Sequence, residues 1–179
     1  IQVCNEYLAG YELPGCNRIA DAVMLAEAVN QPNFGVLIDT SHETTYGRGP
    51  EAFTRSVKKL AEAKRPIWFH ASKTGDRGDF TQSWINFQEI LFDLKWHGGW
   101  RGPTVIEIFD AAEPFASGVG INDRPFPDRF ALVGKSIEFI RNQWQRVPVS
   151  ADKFLQARES TPSQEETLAP SSVGAPDSD

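Results

Sequence analysis

The chain has 179 residues, 40% hydrophobic and 23% charged, a composition that supports a packed core and excludes disorder throughout. Its 18 Lys and Arg against 24 Asp and Glu leave a formal charge of -6 spread along the sequence. That balance argues against a dedicated nucleic-acid binder, because phosphate neutralisation supplies most of such affinity. No apolar run nears the roughly 20 residues needed to span a bilayer, and no charged segment with a following apolar one opens the chain, so a cytoplasmic protein with neither nucleic-acid nor membrane partners is expected.

The sequence opens with IQVCNEYL, whose apolar residues alternate as in a strand before the turn-forming Pro14-Gly15. The opening on Ile1 rather than Met leads us to expect that something upstream was removed or never included. Asn17 is the expected cap of a helix whose apolar residues Ile19, Ala22, Val23, Ala26 and Val29 recur at three- and four-residue steps. Gln31-Pro32-Asn33 should end it. Phe34-Gly35-Val36-Leu37-Ile38-Asp39 is a continuous apolar run of the kind buried on both faces of a parallel sheet. The pattern then repeats: a helix over about 50–63 leads to the strand Ile67–His70, and a helix over about 84–96 leads to Thr104–Ile108. A last helix spans about 130–144. From 149 to 179 the sequence is rich in Ser, Pro and acidic residues, and reads as a disordered tail. Strands alternating with helical segments of this length imply an α/β fold of βαβ units, with a parallel sheet in 1–148. Cys4 and Cys16 lack metal-finger spacing and are expected to be reduced.

Each strand ends in a residue able to bind a metal or carry a proton: Glu6, Asp39, His70 and Glu107. A single strand-terminal carboxylate is ordinarily a helix cap or a solvated loop acid. Four in register are different, because the carboxyl ends of parallel strands share one face, where barrel enzymes keep their active sites. Three carboxylates and an imidazole make an oxygen-rich donor set suited to Mn²⁺, Mg²⁺ or Co²⁺ rather than to a thiolate zinc site. Glu43 and Asp76 read as solvated loop charges. Trp68, Trp84, Trp96 and Trp100 read as core packing, and Phe109, two positions after Glu107, as the aromatic placed to touch a ligand.

The segments NEYLAGYE, GVLIDTSHE, FHASKTGDRG and TVIEIF resemble the sugar-phosphate isomerase and epimerase superfamily, with its xylose-isomerase-like TIM barrel, and most closely its ketose 3-epimerase branch. The resemblance covers nearly all of the chain before the tail. It implies that Glu6, Asp39, His70 and Glu107 bind one divalent metal ion, Mn²⁺ first among Mn²⁺, Mg²⁺ and Co²⁺. It also implies that Glu6 and Glu107 exchange the proton next to a ketose carbonyl through a metal-stabilised enediolate. Glu12, six residues after Glu6, His42, three after Asp39, and Arg77 are implied as substrate-binding residues. Arg77 lies seven residues after His70, whereas the family's Arg usually lies six after.

The strand-end residues are 33, 31 and 37 residues apart, so one βα unit takes about 34 residues and eight need roughly 270. This chain has room for four. In the family the metal ligands lie on the last four strands, so the resemblance implies the C-terminal half of a (β/α)8 barrel. A half-barrel is expected to aggregate, to dimerise or to bind a separately encoded N-terminal half, and to show weak or no activity alone. The alternatives are a non-catalytic or partner-dependent half-barrel of the same superfamily, or a related lyase such as an inosose dehydratase or C-glycoside-cleaving enzyme. A related AP endonuclease would need a further histidine after Asp76-Arg77, where Gly78 stands.

Overall fold

The computed structural model describes residues 1–10, 12–74, 78–79, 81, 83–108 and 129–147. Asp76, Arg77, Phe109 and the 149–179 segment lie outside the described residues. The four strands are β1 (Val3–Glu6), β2 (Phe34–Asp39), β3 (Ile67–Ala71) and β4 (Thr104–Ile106). They pair in chain order, every pair parallel, as the βαβ pattern requires.

The outward face of this sheet is dry. Val36, Ile38, Phe69 and Ala71 are buried beneath a layer of helices, which explains why β2 and β3 read as apolar runs. Helix α1 (Ile19–Val29) presents Ile19, Ala22, Val23 and Ala26 to the core, and α3 (Pro50–Glu62) presents Phe53, Val57 and Leu60. Both faces follow from apolar spacing at three and four residues, and each fully buried Ile, Val, Leu or Phe among them contributes about 1.5–3 kcal/mol. Gly35 has a steric reason: a Cβ there would meet the Pro66 carbonyl oxygen at 1.9 Å, at the point where the Val36 N–H donates to that oxygen.

Five expectations need correction. Asn17 is not the cap of α1. Arg18 takes that position, and the Asp21 carboxylate accepts from the backbone N–H groups of both Asn17 and Arg18. Asn17 instead donates to the Leu8 and Leu13 carbonyls, because a side-chain amide bonds loop backbone as readily as a helix end. The α1 end is set by Asn30 in the left-handed conformation, one residue before the stop signal.

The helix expected over about 84–96 starts at Phe87 as α4 (Phe87–Phe92) and continues as a π-helical turn over Asp93–His97. Asn86 provides its cap, accepting from the Glu89 N–H. A short helix, α2 (Thr40–Tyr46), follows β2 where no helix was expected, and β4 is only three residues long. Of the four tryptophans assigned to the core only Trp100 is buried, edge-on to Phe69 at 5.5 Å. Trp84 is 73% exposed, and Trp68 and Trp96 are each 37% exposed.

The last helix, α5 (Arg129–Arg146), brings Trp144 against Trp100 with centroids 5.7 Å apart. Among the described residues no helix is long and apolar enough to cross a membrane.

Candidate metal and sugar site

The strand registers place the candidate residues. Glu6 pairs with Leu37, Asp39 with His70, and Val105 with His70 from the other side. Paired residues in a parallel sheet face the same way, and so do residues two apart on one strand. Glu6, Asp39, His70 and Glu107 therefore share the inward face, with a two-residue stagger between β1 and β2 and another between β3 and β4. Glu107 stands one residue past β4, held in line where its N–H donates to the Ala71 carbonyl at 3.0 Å.

Ligand atoms from Glu6, Asp39, His70 and Glu107 all lie within 4.8 Å of one another. His70 Nδ1 is 3.3 Å from Glu107 Oε2 and 3.9 Å from Glu6 Oε1. The hydrogen bond to Glu107 is the main cause that raises the His70 pKa above its usual value; burial works against it, and the charges of Glu107, Glu6 and Asp39 add to it. A divalent cation at this cluster competes with that proton. Three carboxylates and one imidazole at this spacing fit a hard divalent ion.

Asp39 is fully buried and caps α2: its Oδ1 accepts from the N–H groups of Ser41 at 2.6 Å and His42 at 3.3 Å. This cap explains the unexpected helix. The sequence Asp39 followed by TSHETTY has the signature of a capped first turn, and one turn of helix is what carries His42 back to the strand ends.

His42 is 1% exposed, and its Nδ1 accepts the Ala9 N–H at 3.0 Å. The ring proton of the neutral imidazole therefore resides on Nε2, which lies 3.8 Å from both Glu6 Oε1 and Glu12 Oε2. Six of the seven expected site residues are thus gathered at one end of the sheet. The seventh, Arg77, lies outside the described residues.

Glu43 is not a solvated loop charge. It is 8% exposed on α2, and its Oε2 accepts the hydroxyl of the fully buried Tyr7 at 3.0 Å. Burial pushes the Glu43 pKa up to about 7, opposed by the Tyr7 hydrogen bond. Burial first, and then the Glu43 charge, raises the Tyr7 phenol well above its usual value, so it stays a donor. The sequence held a signal for Glu43, since positions 39, 42 and 43 share one helical turn once Asp39 is taken as a cap.

The folded state binds the Glu43 proton more tightly than the unfolded chain. Stability therefore falls as pH rises from about 4.5 to about 7, by up to about 3 kcal/mol. Glu43→Gln keeps an acceptor for Tyr7 and removes that loss. Urea unfolding should find the variant about 1–3 kcal/mol more stable than the parent at pH 8 and equal to it near pH 4; equal stability at both pH values would show Glu43 to be solvated.

The model of a family described as xylose isomerase-like TIM barrel matches residues 1–143. This chain belongs to that family. Its four parallel βα units are part of a xylose isomerase-like TIM barrel, and solved structures agree. A structure from Anabaena variabilis assigned as a sugar phosphate isomerase/epimerase is 25% identical with a TM-score of 0.69, over 83% of this chain and 48% of that one. A D-allulose 3-epimerase from Methylomonas sp., solved with D-allulose, is 22% identical with a TM-score of 0.63, over 80% and 48%. The IolI protein, solved with a zinc atom, is 16% identical with a TM-score of 0.57, over 84% and 51%. No curated protein matches the chain. This xylose isomerase-like chain spans about half the length of the solved relatives it matches.

Proposed function

We propose that this chain carries the metal-binding and proton-transfer half of a divalent-metal-dependent sugar isomerase or epimerase acting on a ketose. The observation that carries the reading is the approach of Glu6, Asp39, His70 and Glu107 to within 4.8 Å at the carboxyl ends of four parallel strands. These four would hold the ion, with Mn²⁺ the best fit to an oxygen-rich set and Mg²⁺ or Co²⁺ the alternatives. Bound there, the ion would polarise the ketose carbonyl and stabilise charge on the adjacent oxygens.

The chain's own residues do the rest. Glu6 and Glu107 stand at opposite ends of the four-stranded row, so one carboxylate removes the proton from the carbon beside the carbonyl while the other returns one from the far side. Which of them acts first depends on the epimer bound. His42 Nε2–H donates to a sugar oxygen, and Glu12 beside it accepts from a sugar hydroxyl. Arg77 contributes a further substrate contact.

The inward face of the sheet favours a completing partner. Trp68 and Val105 share that face with the cluster and are 37% and 39% exposed, while β1 and β4 are sheet edges among the described residues. We propose that a further set of βα units covers this face and supplies the remaining sugar contacts, and that the site works in the cytoplasm.

Solvent-deuterium exchange into the carbon next to the carbonyl, read by proton NMR on a panel of ketohexoses with Mn²⁺ present, tests the reaction even at low rates. Exchange in at least one ketose that disappears with chelator supports it. A metal-loaded chain that exchanges none of them, either alone or combined with the N-terminal βα units that would complete the barrel, refutes it.

A further inference from the structure

We propose that Ser72, itself held by Thr40, is the positioning residue that makes Asp39 a fixed one-oxygen metal ligand; this rests on the metal reading above and adds to it. Ser72 lies two residues beyond His70, on the same side of the chain just past β3, and is fully buried. Its Oγ donates to Asp39 Oδ1 at 2.5 Å, in the short range of bonds to an ionised carboxylate.

The direction of that hydroxyl is determined by its neighbours. Ser72 Oγ also accepts from the Ser41 N–H at 3.2 Å, so its own proton points to Asp39. The Ser72 backbone is clasped at both ends by one side chain: the Ser72 N–H donates to Thr40 Oγ1 at 2.9 Å, and the Thr40 hydroxyl donates to the Ser72 carbonyl at 2.5 Å. Asp39, Thr40 and Ser72 are each 0% exposed, so water does not compete for any of these bonds.

The consequence for the ligand is geometric. Oδ1 takes three donors: the Ser41 and His42 N–H groups and the Ser72 hydroxyl. That occupies its lone pairs and resists rotation of the carboxylate, so Asp39 would meet an ion through Oδ2 alone. The backbone donors come with the α2 cap and cannot be tuned by substitution. Ser72 is the one side chain of the three and joins Asp39 on β2 to the end of the strand that carries His70. Partners that orient a ligand in this way alter metal affinity by about 10- to 100-fold when removed.

The test is Mn²⁺ titration by calorimetry on the full chain, with the circular dichroism of the metal-free protein recorded on the same samples. Ser72→Ala is expected to weaken Mn²⁺ binding about 10- to 100-fold without a change in the metal-free spectrum. Ser72→Thr, which keeps the hydroxyl, should recover most of that loss. Thr40→Val, which removes the clasp but leaves Ser72 in place, should weaken binding in the same direction by less. With Co²⁺ the visible absorption should change in Ser72→Ala, where Oδ1 keeps only its two backbone donors and the carboxylate is less firmly held, and not in Ser72→Thr. Affinities within twofold of the parent for both Ser72→Ala and Thr40→Val overturn the proposal and leave the metal reading intact. So does a Ser72→Thr variant as weak as Ser72→Ala, or a loss of affinity matched by loss of folded protein. No Mn²⁺ binding by the parent chain overturns the metal reading and this inference with it.

Discussion

One Mn²⁺ ion is expected to bind per chain, and the double variant Asp39→Asn, His70→Gln to lose it. The four ligand atoms already lie within 4.8 Å of one another, so little reorganisation opposes binding. His70 is half-buried between Glu6 and Glu107, and Asp39 is held by the α2 cap, so both substitutions remove donors whose positions the fold has fixed. Substitutions of partners that only orient a ligand cost about 10- to 100-fold, so loss of two direct ligands should exceed about two orders of magnitude. Calorimetry of parent and variant reads this directly. Binding that survives in the double variant would place the ion elsewhere, and an absence of binding in the parent would mean that the cluster does not assemble in solution.

The second large effect concerns proton transfer. Glu6→Gln and Glu107→Gln each keep an oxygen of similar placement but cannot take up a proton, so each should cut epimerisation by about 10²- to 10⁴-fold. The two variants should not be equivalent. Epimerisation needs both faces, whereas exchange with solvent needs only one base, so each variant should keep deuterium exchange on one epimer and lose it on the other. Proton NMR on the two epimers separately separates these cases. Parent-like interconversion in either variant would remove that carboxylate from the chemistry.

The βαβ order was legible because it rests on local signals. The apolar run 34–39 and the three- and four-residue spacing along α1 and α3 reflect burial that each segment meets alone, and the structure repeats them nearly residue for residue. The strand-end cluster was legible for a related reason. A parallel sheet puts every strand's carboxyl end on one face, so Glu6, Asp39, His70 and Glu107 converge by topology before any side-chain detail is known.

What escaped the sequence depends on partners far along the chain. Whether Glu43 is solvated turns on Tyr7, 36 residues away, which folds over it. Asn17 looks like a cap until the Leu8 and Leu13 carbonyls claim it. Trp68 has the composition of a core residue, yet its strand points it to the inward face, where the described residues leave it 37% exposed.

The sequence by itself determined the order of elements, the parallel sheet and the residues that stand at the strand ends, because period and strand polarity are properties of short segments. The tertiary structure alone decided the proton position on His42, the burial of Glu43 and the Ser72–Asp39 bond, because each is fixed by hydrogen bonds between groups 31 to 36 residues apart that only packing brings together.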